Sequence, residues 1–229
     1  WTHTPGYATA GFTVTAATAV EYGFDRGFDS WRYHPDVGMA EEVRQEVSSW
    51  HEGERHFLYV HLLGPHSPLT PSEEARTRWE VDEVWFEGRH SFLIGEAKRN
   101  QKEGVRDAYK AAYHAVVEDT DARVGRILEA LAPVREDTAV VILADHGELL
   151  GDHGIFGHGY WVWSGLNVVP LMAQGTPAVP ERTTISAVPD LLCRALGIST
   201  WWPTSSVESR LLVSQRIGKR HSNFNHIRS

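Results

Sequence analysis

Apolar and polar positions along the chain fall into two kinds of run whose alternation predicts an α/β fold. Short unbroken apolar runs supply the strands. AGFTVTA at 10–16 follows the turn at Pro5-Gly6 and reads as a short strand. HFLYVHLL at 56–63 and TAVVILA at 138–144 read as strands buried on both faces, and VVPLMA at 168–173 is a third candidate. Runs with helical spacing lie between them. Val43, Val47 and Trp50 share a face over 38–51, and Tyr113, Val117, Thr120, Val124, Ile127, Leu128 and Leu131 form a stripe over 105–132 that Pro133 closes. A short helix is predicted over 188–198, with Pro189 and Asp190 in its first turn and Gly197 as its stop.

The connections are marked by turn residues. GFDRGFD at 23–29 is a loop signal, and GPHSPLTP, with three prolines and one glycine, forces the backbone out of the sheet after the 56–63 strand. Residues 72–104 are charged and tryptophan-bearing without a clear period and read as a surface excursion. The tail from Pro203 is polar and basic and carries no packing pattern.

Composition narrows the function classes. With 229 residues, 41% of them hydrophobic, the chain is long enough for one sizeable core and is expected to form a single compact unit or part of one. A formal charge of -8, with no basic cluster longer than RIGKR, argues against a nucleic-acid partner. Cys193 is the only cysteine, so an intramolecular disulfide and a cysteine-based zinc cluster are excluded; its leucine neighbours suggest a core thiol. No apolar run approaches the roughly 18 to 20 residues that a membrane span needs. The chain opens on Trp1 without a charged-then-apolar leader pattern, which leaves the compartment open.

Candidate chemistry gathers at the predicted strand ends, where ligands bind in open α/β sheets. LADHGELLGDHGIFGHG, at 143–159, sets Asp145, His146, Asp152, His153 and His158 among glycines directly after an apolar run. A carboxylate followed by an imidazole can present an oxygen and a nitrogen to one divalent ion, a combination suited to zinc or manganese and less typical of calcium. Gly147 lets the backbone turn away behind them. The alternative is that Asp145 caps a following helix and His146 hydrogen-bonds nearby. His153 and His158 follow in a glycine-rich loop able to approach an anion closely. His66, between Pro65 and Pro68, sits in a stiff loop at the other predicted strand end, placed for a positioned acid or an anion-binding group.

In their order along the chain these segments resemble the sulfatases of the alkaline phosphatase superfamily. GYATA at 6–10 resembles the family's GYxTA, GFDRGFD its GFDxGFD, and FLYVHLLGPHSPLTP its strand and HxP loop. YHAVVEDTDARVGRIL is similar to the helix with DxxxG, TAVVILADHGELLGDHGIFGHG to the metal-binding strand end, and VVPLM to the strand that follows. The resemblance implies an alkaline-phosphatase-like α/β sandwich with a mostly parallel central sheet flanked by helices, incomplete at both ends, and hydrolysis of a sulfate ester. It implies a divalent cation, calcium first with manganese or zinc as alternatives, held by Asp145 and His146. His66 falls where the family keeps a histidine near the leaving-group oxygen. His158, thirteen residues after Asp145, falls where many members place an anion-contacting lysine. Both are expected to be catalytic and to bind substrate. Asp152 and His153 match the common GDH or GEH and are expected to shape the loop.

Departures from the family pattern qualify this picture. The paired aspartates and the CxPSR or SxPSR segment, whose Cys or Ser becomes the formylglycine nucleophile, are not found in the sequence, and Cys193 has the wrong neighbours for that role. After GYATA the chain reads TVTAA where many members have GKWHLG, leaving Thr13 or Thr15 to bind a substrate oxygen. The expectation is therefore a fragment of a metal-dependent sulfatase, residues 1–212 being a partial catalytic domain and 213–229 a polar, disordered tail. It is expected to be inactive alone and to address a small-molecule or glycan sulfate ester. A phosphodiesterase or phosphonate monoester hydrolase of the same superfamily, or a non-catalytic binding remnant, are the alternatives.

Overall fold

The computed structural model describes residues 6–81, 104–159 and 161–199. Within it the chain divides into two compact units, Trp1–Val134 and Arg135–Ser229. The polar tail and most of the 72–104 excursion lie outside the described residues.

The first unit is built on a parallel sheet of β1 (Ala8–Thr13), β2 (Ser30–Tyr33) and β3 (His56–His61), ordered β2-β1-β3. Ala8 pairs with His56 and Thr13 with His61, while Gly11 pairs with Trp31 on the other side. Successive strand side chains point to opposite faces, so the consecutive burial of Thr9 through Thr13 means that β1 is covered on both. The sequence assigned double-sided burial to 56–63. β3 is instead half-buried, with Tyr59 exposed, because it pairs on one side only and β1 takes the centre.

Two of the sequence motifs meet here. Thr9, from GYATA, receives the backbone N–H of Asp29 on its hydroxyl at 2.8 Å, and its own N–H donates to the Asp29 carboxylate at 2.8 Å. Asp29 closes GFDRGFD, so this reciprocal pair ties the loop to the strand it precedes in the sheet.

Helix α1 (Met39–Ser48) buries Met39, Val43 and Val47, residues four apart that form one face. It packs against α3 (Val105–Ala130), as does the short α2 (Glu73–Arg78), which occupies the start of the expected surface excursion. Along α3 the buried face is not the predicted one. Val105, Ala108, Tyr109, Ala112, Ala115 and Val116 are buried at its start, whereas Val117 is exposed and Tyr113, Thr120 and Val124 are half-buried. Alanines let the helices approach closely. Only at Ile127 and Leu131 does the predicted stripe reach the core.

The segment leaving β3 is held by Asp36. Its carboxylate accepts the backbone N–H groups of Leu63 at 3.2 Å and Gly64 at 3.0 Å, and lies 3.5 Å from the Arg123 guanidinium. Gly64 is itself pressed against α3: a Cβ there would stand 2.2 Å from the Thr120 hydroxyl oxygen. Ser72, which caps α2, donates its N–H and hydroxyl to Asp119 at 2.6 and 2.8 Å. The loop between 62 and 72 is thus anchored at both ends to residues outside it.

In the second unit β4 (Val140–Leu143) pairs antiparallel with β7 (Leu171–Gln174), Val140 opposite Gln174. The parallel pairing expected of the sheet holds in the first unit and not here. β4 is half-buried, not fully buried. β5 (Leu149–Asp152) and β6 (Ile155–Gly157) form an antiparallel hairpin, followed by the single turn α4 (Ser164–Asn167). α5 (Val188–Ala195) carries Pro189 and Asp190 in its first turn, and Gly197, with φ +65°, lets Ile198 N–H return to the Cys193 carbonyl at 2.8 Å. Buried Asp190 is paired with Arg194 at 3.0 Å, and Cys193 is half-buried instead of enclosed in the core. No helix among the described residues is long and apolar enough to cross a membrane.

Removing the Asp36 carboxylate leaves two backbone donors and Arg123 without their acceptor. Asp36→Ala is expected to lower stability by about 1 to 3 kcal/mol, read as a lower urea midpoint. An unchanged midpoint would show that the loop does not depend on this anchor.

Candidate active site and metal-ligating cluster

The expected site residues come to rest in two places. Thr15 and His66 belong to the first unit and leave the same edge of its sheet, two residues after β1 and five after β3, strands whose ends Thr13 and His61 are register partners. Thr15 accepts the Ala17 N–H at 3.2 Å and so caps the 3-10 turn Ala16–Thr18. Its neighbour Thr13 is buried and bonded to the Thr18 hydroxyl. His66 is exposed; its backbone N–H donates to Leu63 O at 2.8 Å and its Nδ1–H to Ser67 O.

Asp145, His146 and His158 belong to the second unit. The exit of β4 delivers Asp145 and His146 side by side. No helix follows them, so the helix-capping alternative does not occur. The Asp145 carboxylate accepts the His146 backbone N–H at 3.0 Å, and its other oxygen lies 3.8 Å from His146 Nε2. The His146 Nδ1–H donates to Gly147 O at 2.9 Å, which leaves Nε2 as the lone-pair nitrogen of the neutral ring. The chain turns behind this pair because Gly147 has no side chain. A Cβ at 147 would meet the Gly165 carbonyl oxygen at 2.1 Å, and the Gly147 N–H donates to Leu166 O at 2.8 Å.

The glycine-rich segment predicted as a loop is the β5-β6 hairpin. Leu149 pairs with Gly157 and Leu150 with Phe156, around a turn where His153 and Gly154 both take positive φ, +53° and +73°. Such angles characterise tight hairpin turns. His153 sits at this tip, its ring 4.4 Å from that of Trp163, and the Asp152 carboxylate accepts the Leu150 N–H at 3.4 Å. Both are local to the hairpin.

One step beyond the Leu149–Gly157 pair, Glu148 stands opposite His158. The Glu148 side chain is only 6% exposed, and its carboxylate oxygen is 2.8 Å from His158 Nδ1. The rings of His158 and His146 lie 4.3 Å apart. Ligand atoms from His146, Glu148 and His158 all fall within 4.8 Å of one another. Asp145, 81% exposed, stands beside this group and is not among the three.

Glu148 is thus the site residue that sequence reasoning missed. Its signal was present: placing the turn at His153-Gly154 folds 148 onto 158. Two nitrogens and carboxylate oxygens suit a divalent ion with mixed nitrogen and oxygen preference, whereas calcium usually takes six to eight oxygens. The residues present therefore fit a divalent cation.

Residues 2–184 match the sequence profile of a family described as Sulfatase. A protein named Sulfatase from Formosa agariphila is 35% identical over 83 residues, 35% of this chain and 16% of that relative. Arylsulfatase K of Gallus gallus is 33% identical over 85 residues, 36% of this chain and again 16% of the relative. The phosphonate monoester hydrolase of Agrobacterium radiobacter superposes with a TM-score of 0.63 at 18% identity, covering 85% of this chain and 56% of that one. A structure described as a complex with its substrate D-glucosamine-2-N,6-O-disulfate has a TM-score of 0.61 at 14% identity, over 88% of this chain and 60% of that one. The chain thus spans little more than half of these solved structures, and the matched stretches are a sixth of the curated relatives.

The close backbone approach at Gly147 leads to a direct test. Gly147→Ala is expected to destabilise the protein by about 1 to 3 kcal/mol, since a backbone oxygen cannot move aside as a side chain can. A thermal melt unchanged from the parent chain would refute the packing described.

Proposed function

Because the chain belongs to the sulfatase family, matched across residues 2–184, we propose that residues 1–212 supply part of the catalytic domain of a metal-dependent sulfuric ester hydrolase. The observation that carries this reading is the strand exit where Asp145 and His146 lie 3.8 Å apart with His158 against the His146 ring, inside a chain matched to that family. Asp145 and His146 hold the divalent ion in this reading. When bound, such an ion neutralises ester oxygens and orients the ester.

The remaining work falls to hydrogen-bond donors of the chain. With Nδ1 turned to Glu148, His158 offers Nε2–H to a non-bridging oxygen. His66 offers a proton to the departing alkoxide, the weak leaving group of an alkyl ester. Thr15 accepts from Ala17 N–H, so its own hydroxyl proton remains for an ester oxygen. Donors placed where charge develops act mainly on the transition state, and removing one commonly costs about 2.7 to 4 kcal/mol. The substrate class is a sulfate ester of a small molecule or glycan; the neighbour that holds a disulfated glucosamine supports the glycan side.

A second reading, cleavage of a phosphonate monoester or phosphodiester, draws on the TVTAA that stands where many sulfatases carry GKWHLG. It needs the same ion and the same imidazoles, so substrate comparison separates the two.

The formylglycine segment and paired aspartates are not among the 229 residues, so this polypeptide alone should show no turnover of a chromogenic aryl sulfate with added calcium, manganese or zinc. In a longer protein joining it to a segment with those residues, His66→Ala and His158→Ala should each lower kcat/KM by about 100-fold or more. Turnover by this chain alone, or full activity in both variants, would overturn the proposal. Faster cleavage of a phosphonate monoester than of the matched sulfate would favour the second reading.

A further inference from the structure

Glu148 has no part in the chemistry proposed above, yet it is the least exposed carboxylate at the site. A buried carboxylate is tolerated when it is paired or coordinates a metal, and this one faces His158 Nδ1 at 2.8 Å. His146 stands against the other side of the His158 ring. His146 Nδ1 already donates to the Gly147 carbonyl, the arrangement that fixes the tautomer and orientation of metal-bound histidines.

We propose that His146, Glu148 and His158 form a three-ligand site for a first-row transition dication, zinc being the reference ion, and that Glu148, not Asp145, is its carboxylate ligand. Two imidazoles and one carboxylate, with a further position left open, is a ligand set used by catalytic zinc sites. The ligand atoms already lie within 4.8 Å of one another, so modest side-chain rotation brings all three to one ion. Coordination through His158 Nδ1 replaces the proton shared with Glu148 and leaves Nε2–H to donate to an anion. The proposal is therefore compatible with the role given to His158 above. It deepens the metal-site reading but does not rest on ester hydrolysis. Calcium, with its preference for many oxygens, is the poorer occupant.

Calorimetric titration of the metal-stripped 229-residue chain with zinc chloride, manganese chloride and calcium chloride tests this directly. The expected result is one zinc per chain, bound at least about 100-fold more tightly than calcium. Glu148→Gln and His158→Ala should each weaken zinc binding by at least about tenfold, and Asp145→Asn by less than about threefold. As a check independent of variant folding, zinc added to the parent chain should shift the imidazole carbon-proton NMR signals of His146 and His158 together and saturate at one equivalent. Loss of zinc binding in Asp145→Asn, parent-like binding in both ligand variants, calcium binding as tight as zinc, or unshifted signals would each overturn it. A hydrolase that fails to cleave sulfate esters while this chain still binds zinc through the trio would refute the functional reading and leave this one standing.

Discussion

The pairing of Glu148 with His158 organises the second unit. A carboxylate withdrawn from water carries a desolvation cost that only a close, well-directed donor offsets, and His158 Nδ1 meets it at 2.8 Å. That donor is in place because the hairpin register puts 158 opposite 148. The register in turn depends on a turn at His153-Gly154 that accepts two positive φ angles. Behind it, the bare α-carbon of Gly147 lets the chain pass within reach of the Gly165 carbonyl, so that His146 leaves β4 and stacks on the His158 ring. A shift of one residue in that hairpin would disperse the three side chains.

The first unit follows the same logic with other groups. Acidic side chains there serve as backbone acceptors: Asp29 for Thr9, Asp36 for the segment leaving β3, and Asp119 for the cap of α2. Each connects a loop to an element distant in sequence. Their effect is to hold the exits of β1 and β3, the edge from which Thr15 and His66 emerge, in a defined form. Net burial in this unit comes from the α1 and α3 faces, where Met39, Val43, Tyr109 and Val116 are almost wholly enclosed. Enclosing a side chain of this size contributes roughly 1.5 to 3 kcal/mol before chain entropy is counted.

Much of this was legible in the sequence, and the failures have identifiable causes. Strand and helix positions followed from apolar periodicity, and the stop at Gly197 followed from its tolerance of positive φ. The stripe on α3 was misplaced because its buried face is lined by Ala108, Ala112 and Ala115, whose small side chains carry a weak hydrophobic signal but permit close helix packing. The double-sided burial given to 56–63 belonged to β1, since strand order, which decides burial, is not written in a local run. Glycine abundance disguised the 149–157 hairpin as a loop, and with it the partnership of Glu148 and His158. Asp145 and His146 were recognised as neighbours, and they are. What could not be read was which carboxylate turns inward.

X-ray diffraction from zinc-soaked crystals of this chain, recorded on both sides of the zinc absorption edge, locates the ion without reference to activity. The expected result is one anomalous peak at about 2.0 to 2.2 Å from a nitrogen of His146, a nitrogen of His158 and an oxygen of Glu148. A peak bound by Asp145 with Glu148 and His158 still joined only to each other, or no peak near His146, would contradict it.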